Sequence, residues 1–325
     1  MATPLTLKEL SRKEELFTPG HRLCAGCGAP TVVKMVLLAT DYPVIASNST
    51  GCLEVSSCIS EYTAWKIPWI HSAFENAAAT ISGVETMYRS LKKQGKISDE
   101  IKFVSFAGDG GTYDIGFQSL SGAMERGHDM TYICYDNGAY MNTGIQRSSA
   151  TPFGADTTTC PVGSHIPGKL QQRKDMTKII AQHGVPYVAQ CSPSHWGDLM
   201  KKVRKAHEIK GPKFLNIIAP CNRGWRTQSD DAIKMAKLAV ETCYWPLFEI
   251  ENGVTKITQR PREKKPLIDF LKPQGRFKHM FAPENEWMLK AAQEHVDAYW
   301  ERLEKEEACF APPAPAAAEA PKVAD

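Results

Sequence analysis

Four cysteines have a spacing that suggests a shared chemical role. Cys24 and Cys27 form a Cys-Ala-Gly-Cys pair, whereas Cys52 and Cys221 stand alone. Four thiolates can ligate a 4Fe–4S cluster or a structural zinc ion, and a lone CxxC pair can also be a redox dithiol. Structural zinc sites usually contain two close pairs. One close pair with two distant cysteines therefore favours a cluster, with zinc as the alternative.

A glycine-rich turn and a later asparagine form a second group. The turn is Gly108-Asp109-Gly110-Gly111, and 26 residues lie between Gly110 and Asn137. Glycines let a diphosphate approach the backbone, and Asp109 is an oxygen ligand of the kind that magnesium prefers. Asn137 can add a side-chain oxygen and Ala139 a carbonyl oxygen. The pattern matches the signature of thiamine diphosphate sites.

Alternating strand and helix patterns surround both groups. Compact apolar segments predict strands over 43–47, 101–107, 130–135 and 214–219. The alternation predicts an α/β fold with an open, mainly parallel sheet flanked by helices. Because parallel strands end at one edge, we expect the cysteines and the glycine turn to meet there. Asn142 and Thr143 follow the metal loop, where they can reach diphosphate or substrate, or serve as turn residues.

The pattern changes near residue 230. Residues 230–241 predict a helix, but 245–279 is rich in Pro, Lys and Arg and lacks clear periodicity. We expect either a solvated extended arm or an arm that wraps a partner subunit. A terminal helix is predicted over 284–306, with one side formed by Trp287, Ala291, His295 and Ala298. The predicted organisation is a cofactor domain over 1–229, an extension over 230–310 and a disordered Ala/Pro-rich tail over 311–325.

The composition is that of an ordinary globular protein. Of 325 residues, 42% are hydrophobic and 23% charged, and the net charge is +3. This balance argues against nucleic acid or a membrane surface as partner. The sequence shows no apolar membrane span and no signal-peptide core, so we expect a cytoplasmic protein. In that compartment, clustered thiols indicate metal or redox chemistry, and the remaining cysteines are expected to be structural.

Together, these motifs resemble the β subunit of pyruvate:ferredoxin oxidoreductase and its 2-oxoacid relatives. The resemblance extends over nearly the whole chain before the tail, and its matching stretches are 20–28, 50–55, 108–116, 135–152, 237–242, 244–247 and 275–277. It implies the thiamine-diphosphate-binding fold, in the form of the domain that holds the diphosphate half, with a C-terminal extension. It also implies an oxidoreductase subunit that is inactive alone.

The reaction that the resemblance implies is CoA-dependent oxidative decarboxylation of a 2-oxoacid, with pyruvate as the leading substrate. Thiamine diphosphate would carry the chemistry, and single electrons would pass to a proximal 4Fe–4S cluster. Partner subunits would carry the pyrimidine-binding domain, its activating glutamate and further clusters, and ferredoxin or a similar protein would accept electrons. Aryl-glyoxylate, branched-chain and oxalate-type substrates are alternatives. A non-redox thiamine decarboxylase and a zinc-stabilised structural subunit are the rival functions.

Individual residues acquire roles from the same resemblance. The expected cluster ligands are Cys24, Cys27, Cys52 and Cys221. Magnesium would be held by Asp109, Asn137 and the Ala139 carbonyl. The cofactor would contact Thr50, Gly51, Cys52, Gly108, Asp109, Gly110, Gly111, Asn137, Ala139, Tyr140, Asn142 and Thr143. Asn142 is the expected catalytic residue, as a donor to substrate or intermediate. Some relatives have a carboxylate where this chain has Ala29, so that role is not transferred.

Overall fold

The computed structural model describes residues 6–310. Its helices are α1 (Leu7–Leu10), α2 (Gly28–Leu38), α3 (Cys52–Ser57), α4 (Ala77–Lys93), α5 (Phe117–Glu125), α6 (Met176–Ala181), α7 (Trp196–Glu208), α8 (Asn222–Trp225), α9 (Ala232–Glu241), α10 (Ile268–Leu271) and α11 (Glu286–Cys309). Its strands are β1 (Val44–Ser49), β2 (Cys58–Ile59), β3 (Tyr62–Thr63), β4 (Trp69–Ser72), β5 (Lys102–Gly108), β6 (Thr131–Asp136), β7 (Tyr187–Cys191), β8 (Lys213–Ile218), β9 (Leu247–Glu251) and β10 (Val254–Gln259). A π-helix spans Gly110–Asp114, and 3₁₀ turns lie at Pro193–His195, Gly275–Phe281 and Pro283–Asn285.

An eight-stranded sheet organises the described residues in the order β10-β9-β7-β8-β6-β5-β1-β4. From β7 to β4 each strand runs parallel to its neighbours, whereas β9 is antiparallel to both β7 and β10. Strands β2 and β3 form a separate antiparallel pair. The expected open, mainly parallel α/β sheet is confirmed.

Helices cover both faces of this sheet. On one face, α2 and α7 contribute buried side chains such as Val36 and Val203. On the other, α4 and α5 contribute Ile81 and Leu120. The central strands are buried almost throughout, which is typical of parallel strands that are covered on both faces. The loops at the strand ends are therefore the places where polar groups can form a site.

The strand register brings both predicted groups to one sheet edge. Gly108 at the end of β5 lies opposite Tyr135 in β6, and Asp136 lies opposite Ile218 in β8. The chain leaves these strand ends directly into the glycine turn, the Asn137 loop and the segment before Cys221. Strand β1 ends on the same edge, just before the helix that begins at Cys52.

The expectation of a solvated extended arm over 245–279 is wrong. The segment begins with the β9–β10 hairpin, which joins the main sheet through β7. Its turn is Asn252-Gly253, and both residues have positive φ (49° and 83°), as a type I′ hairpin turn requires. That dipeptide, between segments of alternating apolar residues, was the signal in the sequence. Farther on, apolar side chains such as Phe270 and Phe277 are buried in the core.

The terminal helix exists, but its buried face is not the predicted one. The face that packs on the core contains Met288, Ala292, Val296 and Leu303. Trp287, placed on that face by the sequence pattern, is 51% exposed. A shift of one residue on a helix turns a side chain by about 100°. The helix packs against β10 and the 3₁₀ turn Gly275–Phe281, and this tertiary contact sets the buried face.

The predicted organisation can be compared with the structure only in part. The tail over 311–325 lies outside the described residues. The division between 1–229 and 230–310 stays a prediction, although β9 of the extension pairs with β7 of the domain. Within residues 6–310, no helix combines the length and the apolar character needed to cross a bilayer.

Candidate functional site

The glycine turn places Asp109 at the carboxyl end of β5. The carboxylate side chain is fully buried, and the π-helix Gly110–Asp114 follows at once. The hydroxyl of Thr112 donates to the Gly108 carbonyl at 2.8 Å and closes the turn. The first N–H groups of a helix have no acceptor within it, so this turn presents backbone donors as well as a carboxylate. π-Helical turns of this kind often occur at functional sites.

Three oxygen atoms, from Asp109, Asn137 and Ala139, converge at this turn. The side-chain amide oxygen of Asn137 lies 2.9 Å from the Ala139 carbonyl oxygen and 2.9 Å from Asp109 Oδ1. Acceptors this close repel one another unless a cation lies among them or the amide turns its nitrogen toward them. Ligands 2.0–2.1 Å from an octahedral magnesium ion are separated by about 2.9 Å along each edge. The donor set and its spacing fit magnesium.

The electrostatics of this turn leave Asp109 without a cation. Burial raises the pKa of Asp109 to about 8, and the neighbouring Asp136 adds to this increase. Asp136 itself pairs with Arg173 and accepts from the Tyr113 hydroxyl at 2.6 Å. Asp109 accepts hydrogen bonds from the Ser148 hydroxyl and the backbone N–H of Asn137. Asp136 therefore has its counter-charge within the chain, whereas Asp109 is arranged to receive a cation.

The predicted cofactor-binding residues line one pocket, apart from Asp109, which lies buried beneath it. The lining comprises Thr50, Gly51, Cys52, Phe74, Gly108, Gly110, Gly111, Tyr135, Asn137, Ala139, Tyr140, Met141, Asn142 and Thr143. Its free volume is about 30 Å³, and the Tyr140 ring packs closely against Gly110. A Cβ at Gly110 would lie 2.4 Å from that ring.

Ser148 and Ser149 are residues that the sequence reasoning missed. The hydroxyl of Ser148 donates to Asp109 Oδ2 at 2.6 Å. The backbone N–H of Ser149 donates to Asp114 Oδ2 at 2.8 Å. These bonds hold the loop after β6 against the turn after β5. Both serines lie within the 135–152 stretch that resembles the oxidoreductase family, but their side-chain partners depend on the loop geometry.

The four predicted cysteines line a second cavity, of about 330 Å³. Cys27 precedes α2, Cys52 begins α3, and Cys221 precedes α8. The N–H of Gly224 lies 3.4 Å from Cys221 Sγ, and Cys24 shares the exposed loop with Cys27. Chain segments that are far apart in sequence thus surround one space. Among the cysteines predicted to be structural, Cys134, Cys191 and Cys243 are buried.

The thiols crowd together without converging on one point. Burial raises the pKa of Cys27 to about 12 and that of Cys52 to about 11, and nearby thiols contribute to both increases. Nowhere in residues 6–310 do three or more Cys, His, Asp or Glu side chains come close enough to hold one metal ion. Zinc requires its sulfur ligands about 2.3 Å from a single centre. Four cysteines around a roomy cavity suit a polynuclear cluster better.

A close backbone contact joins two of the cysteine segments. The N–H of Gly28 donates to the Pro220 carbonyl at 2.9 Å. A Cβ at Gly28 would lie 2.8 Å from the Pro220 nitrogen and 2.9 Å from its Cδ. Only glycine allows the start of α2 to approach the segment after β8 this closely. This contact sets the separation of Cys27 and Cys221.

The two cavities share a wall. The residues that line both are Cys52, Tyr135, Asn137, Met141 and Asn142. Groups bound in the two cavities would therefore be separated by single side chains. The exposed Asn142 faces both spaces, whereas Thr143 donates to Gln146 Oε1 at 2.6 Å, as a local turn residue would.

Known proteins are similar to this chain over most of its length. Residues 49–217 match the family model described as thiamine pyrophosphate enzyme, C-terminal TPP binding domain. Pyruvate synthase subunit PorB of Thermotoga maritima is 51% identical over 310 residues, covering 92% of this chain and 96% of the relative. The subunit of the same name from Methanocaldococcus jannaschii is 52% identical over 287 residues, covering 88% and 95%.

Another relative bears a different substrate in its name. Ketoisovalerate oxidoreductase subunit VorB of Pyrococcus abyssi is 45% identical over 294 residues, covering 90% of this chain and 93% of the relative. Among solved structures, the 2-oxoglutarate:ferredoxin oxidoreductase from Magnetococcus marinus superimposes with a TM-score of 0.52 at 18% identity, over 67% of this chain and 77% of that one. At that identity the likeness supports the fold alone.

Proposed function

Because the chain belongs to the thiamine pyrophosphate enzyme family and, within it, to the PorB-type subunits of pyruvate synthase, we propose that it is the β subunit of a pyruvate:ferredoxin oxidoreductase. The observation that supports this most is the shared wall between the glycine-turn pocket and the cysteine cavity. A thiamine enzyme without redox chemistry has no need for four thiolates beside its cofactor. An enzyme that passes electrons from a thiamine-bound substrate to a cluster needs this neighbourhood.

Thiamine diphosphate and magnesium would occupy the pocket on the glycine turn. Asp109, Asn137 and the Ala139 carbonyl would hold the ion, which replaces the missing counter-charge of Asp109. Gly110 and Gly111 would present backbone N–H groups to the diphosphate, and the close packing of the Tyr140 ring leaves no room for a Cβ at Gly110. Bound thiamine supplies the electron sink for decarboxylation, and a bound 4Fe–4S cluster accepts electrons singly.

The protein's own contribution to catalysis is positioning. Asn142 lies on the wall between the cavities with its side chain exposed, so it can donate a hydrogen bond to a substrate that enters there. Met141 and the buried Tyr135 add apolar surface to the same wall. A water-poor site strengthens every electrostatic contact with the reacting group. Cys52, on the same wall, would bring the cluster to the edge of the thiamine pocket.

Cys24, Cys27, Cys52 and Cys221 would ligate the cluster. Burial, with a smaller contribution from nearby thiols, raises the pKa values of Cys27, Cys52 and Cys221 in the cluster-free chain. Iron binding must therefore displace protons, and loading should improve as the pH rises. Further subunits of the complex would supply the pyrimidine half of the thiamine site, its activating glutamate and further clusters. Coenzyme A would accept the acyl group, and ferredoxin or a similar protein the electrons.

The test is anaerobic purification of the complex that contains this chain, with assays of iron, sulfide and thiamine. A 2-oxoacid panel with a viologen dye as acceptor then measures activity. We expect CoA-dependent dye reduction with pyruvate ahead of 2-ketoisovalerate. The reverse order would assign the chain to the branched-chain enzymes, as the VorB relative suggests. Thiamine without iron would indicate a non-redox decarboxylase, and zinc without thiamine would indicate a structural subunit.

Matched cysteine variants test the cluster assignment. Cys52→Ser removes a residue of the shared wall, whereas Cys58→Ser removes an exposed thiol outside both cavities. We expect C52S to lose iron and dye reduction while C58S matches wild type. Normal iron content and normal dye reduction in C52S would exclude Cys52 as a ligand.

A further inference from the structure

Arg276 is a buried cation with no carboxylate partner in the described chain. It is 2% exposed, whereas the nearby Lys272 and Lys278 are exposed. Its Nε and Nη2 both donate to Gln274 Oε1, at 3.0 and 2.7 Å. Gln274 is a neutral amide, and across residues 6–310 no Asp or Glu forms an ion pair with this guanidinium.

Burying an unpaired charge is strongly unfavourable, and here it lowers the pKa of Arg276 to about 10. Elsewhere the same chain avoids this situation, since Arg173 pairs with the buried Asp136. A buried guanidinium that keeps its charge but has no anion in the chain indicates an anion from outside it.

The surroundings of Arg276 show where that anion would lie. Its guanidinium stacks on the Trp225 ring, 4.4 Å from the ring centroid. The backbone N–H of Trp225 donates to the Cys221 carbonyl at 2.8 Å, and its indole N–H donates to the Asn137 carbonyl at 2.7 Å. A Cβ at Gly138 would lie 3.1 Å from Nη1 of Arg276. Arg276 is therefore packed behind the loops that carry Cys221 and Asn137.

Of the two expected anionic groups, the thiolate cluster has the greater need of a cation. The diphosphate would already be bound to magnesium. The groups with an electrostatic effect on Arg276 are Tyr244, the Cys221 thiol, Arg173 and Asp136, of which Asp136 is already paired with Arg173 and Cys221 is an expected cluster ligand. Among the residues that line the cysteine cavity, Arg223 is basic, but it is exposed and screened by solvent.

We propose that Arg276 is a positioning residue that supplies the counter-charge of the cluster and raises its reduction potential. This role rests on the proposed function, because it requires the cluster. Reduction adds one electron, and thus one negative charge, to the cluster. A nearby buried cation stabilises the reduced form more than the oxidised form, and the net charge around a cluster is one determinant of its potential.

The experiment uses the full chain, reconstituted anaerobically with iron and sulfide and titrated with a reductant while the EPR signal of the reduced cluster is followed. In Arg276→Met we expect the ratio of reduced to oxidised cluster at a fixed potential to fall about tenfold, a midpoint shift of about 59 mV to more negative values. Arg276→Lys keeps the charge but loses the forked contact with Gln274, and should stay near the wild-type midpoint. A structural role would affect both variants alike.

A second substitution addresses the case in which Arg276→Met does not fold. Gln274→Glu keeps the arginine and its acceptor but adds a carboxylate that neutralises it, at the cost of the Gln274 Nε2 bond to the Phe270 carbonyl. It should lower the midpoint in the same direction. Unchanged reduction midpoints in the variants that fold and have normal cluster content would overturn the role of Arg276 but leave the proposed function intact. A wild-type chain that takes up no iron and sulfide would overturn the proposed function and this role together.

Discussion

The buried carboxylate of Asp109 makes the stability of the cofactor-free chain depend on pH in an unusual direction. Its pKa is raised from an ordinary 3.8 to about 8, chiefly by burial. Between these values the folded chain holds a proton that the unfolded chain has released. Stability therefore falls as the pH rises, by about 1.4 kcal/mol per pH unit, or on the order of 5 kcal/mol from pH 4 to pH 8.

Asp109→Asn removes this dependence because the amide does not titrate. The measurement is urea unfolding of the full chain in EDTA between pH 5 and pH 9, followed by tryptophan fluorescence. Ionisable groups outside the Asp109–Asp136 pair contribute equally to both proteins, so the difference between the two slopes isolates this pair. In wild type the free energy of unfolding should fall as the pH rises to about 8. In D109N we expect no such fall, whether the variant is more or less stable than wild type.

Magnesium with thiamine diphosphate should reverse the effect in wild type. The cation pairs with the ionised carboxylate, so cofactor binding strengthens as the pH rises toward 8 and the loss of stability disappears. D109N should gain no such stabilisation. Equal pH slopes for wild type and D109N in EDTA would refute the reasoning, because they would mean that Asp109 is ionised at its ordinary pKa despite its burial.

Three further predictions concern other parts of the chain. Burial lowers the pKa of His207 to about 3 from an ordinary 6.5. The free energy of unfolding should therefore fall by about 1.4 kcal/mol per pH unit as the pH falls below 6.5. Urea unfolding of His207→Leu should show a smaller fall. Gly28→Ala should lower the free energy of unfolding by about 1–3 kcal/mol and reduce iron loading, because the added Cβ meets backbone atoms. The control Gly83→Ala has open space at its Cβ and should raise the free energy of unfolding by up to about 1 kcal/mol. Arg173→Met should lower the free energy of unfolding by about 3–5 kcal/mol because it leaves Asp136 unpaired, and the added Asp136→Asn substitution should restore much of this loss. Losses in the double variant that equal the sum of the two single losses would contradict the coupling.

Local patterns in the sequence were sufficient to predict the architecture and to bring the motif residues to one edge of the sheet. Apolar runs that end in glycine, asparagine or cysteine placed the chemistry at the strand ends, because parallel strands leave a sheet at one edge. The motif residues of the glycine-turn pocket line one space, apart from the buried Asp109, and the four cysteines line its neighbour. Their roles as ligands and donors stay predictions for the experiments above.

Contacts between distant segments required the structure. The shared wall, the buried face of α11 and the pairing of Arg173 with Asp136 join residues whose separation in sequence carries no periodic signal. Arg276 shows the difference most clearly. In the sequence it is one member of a basic stretch, for which solvent exposure is the ordinary expectation. In the fold it is buried against Trp225, because charge is a property of the residue whereas burial depends on what packs around it.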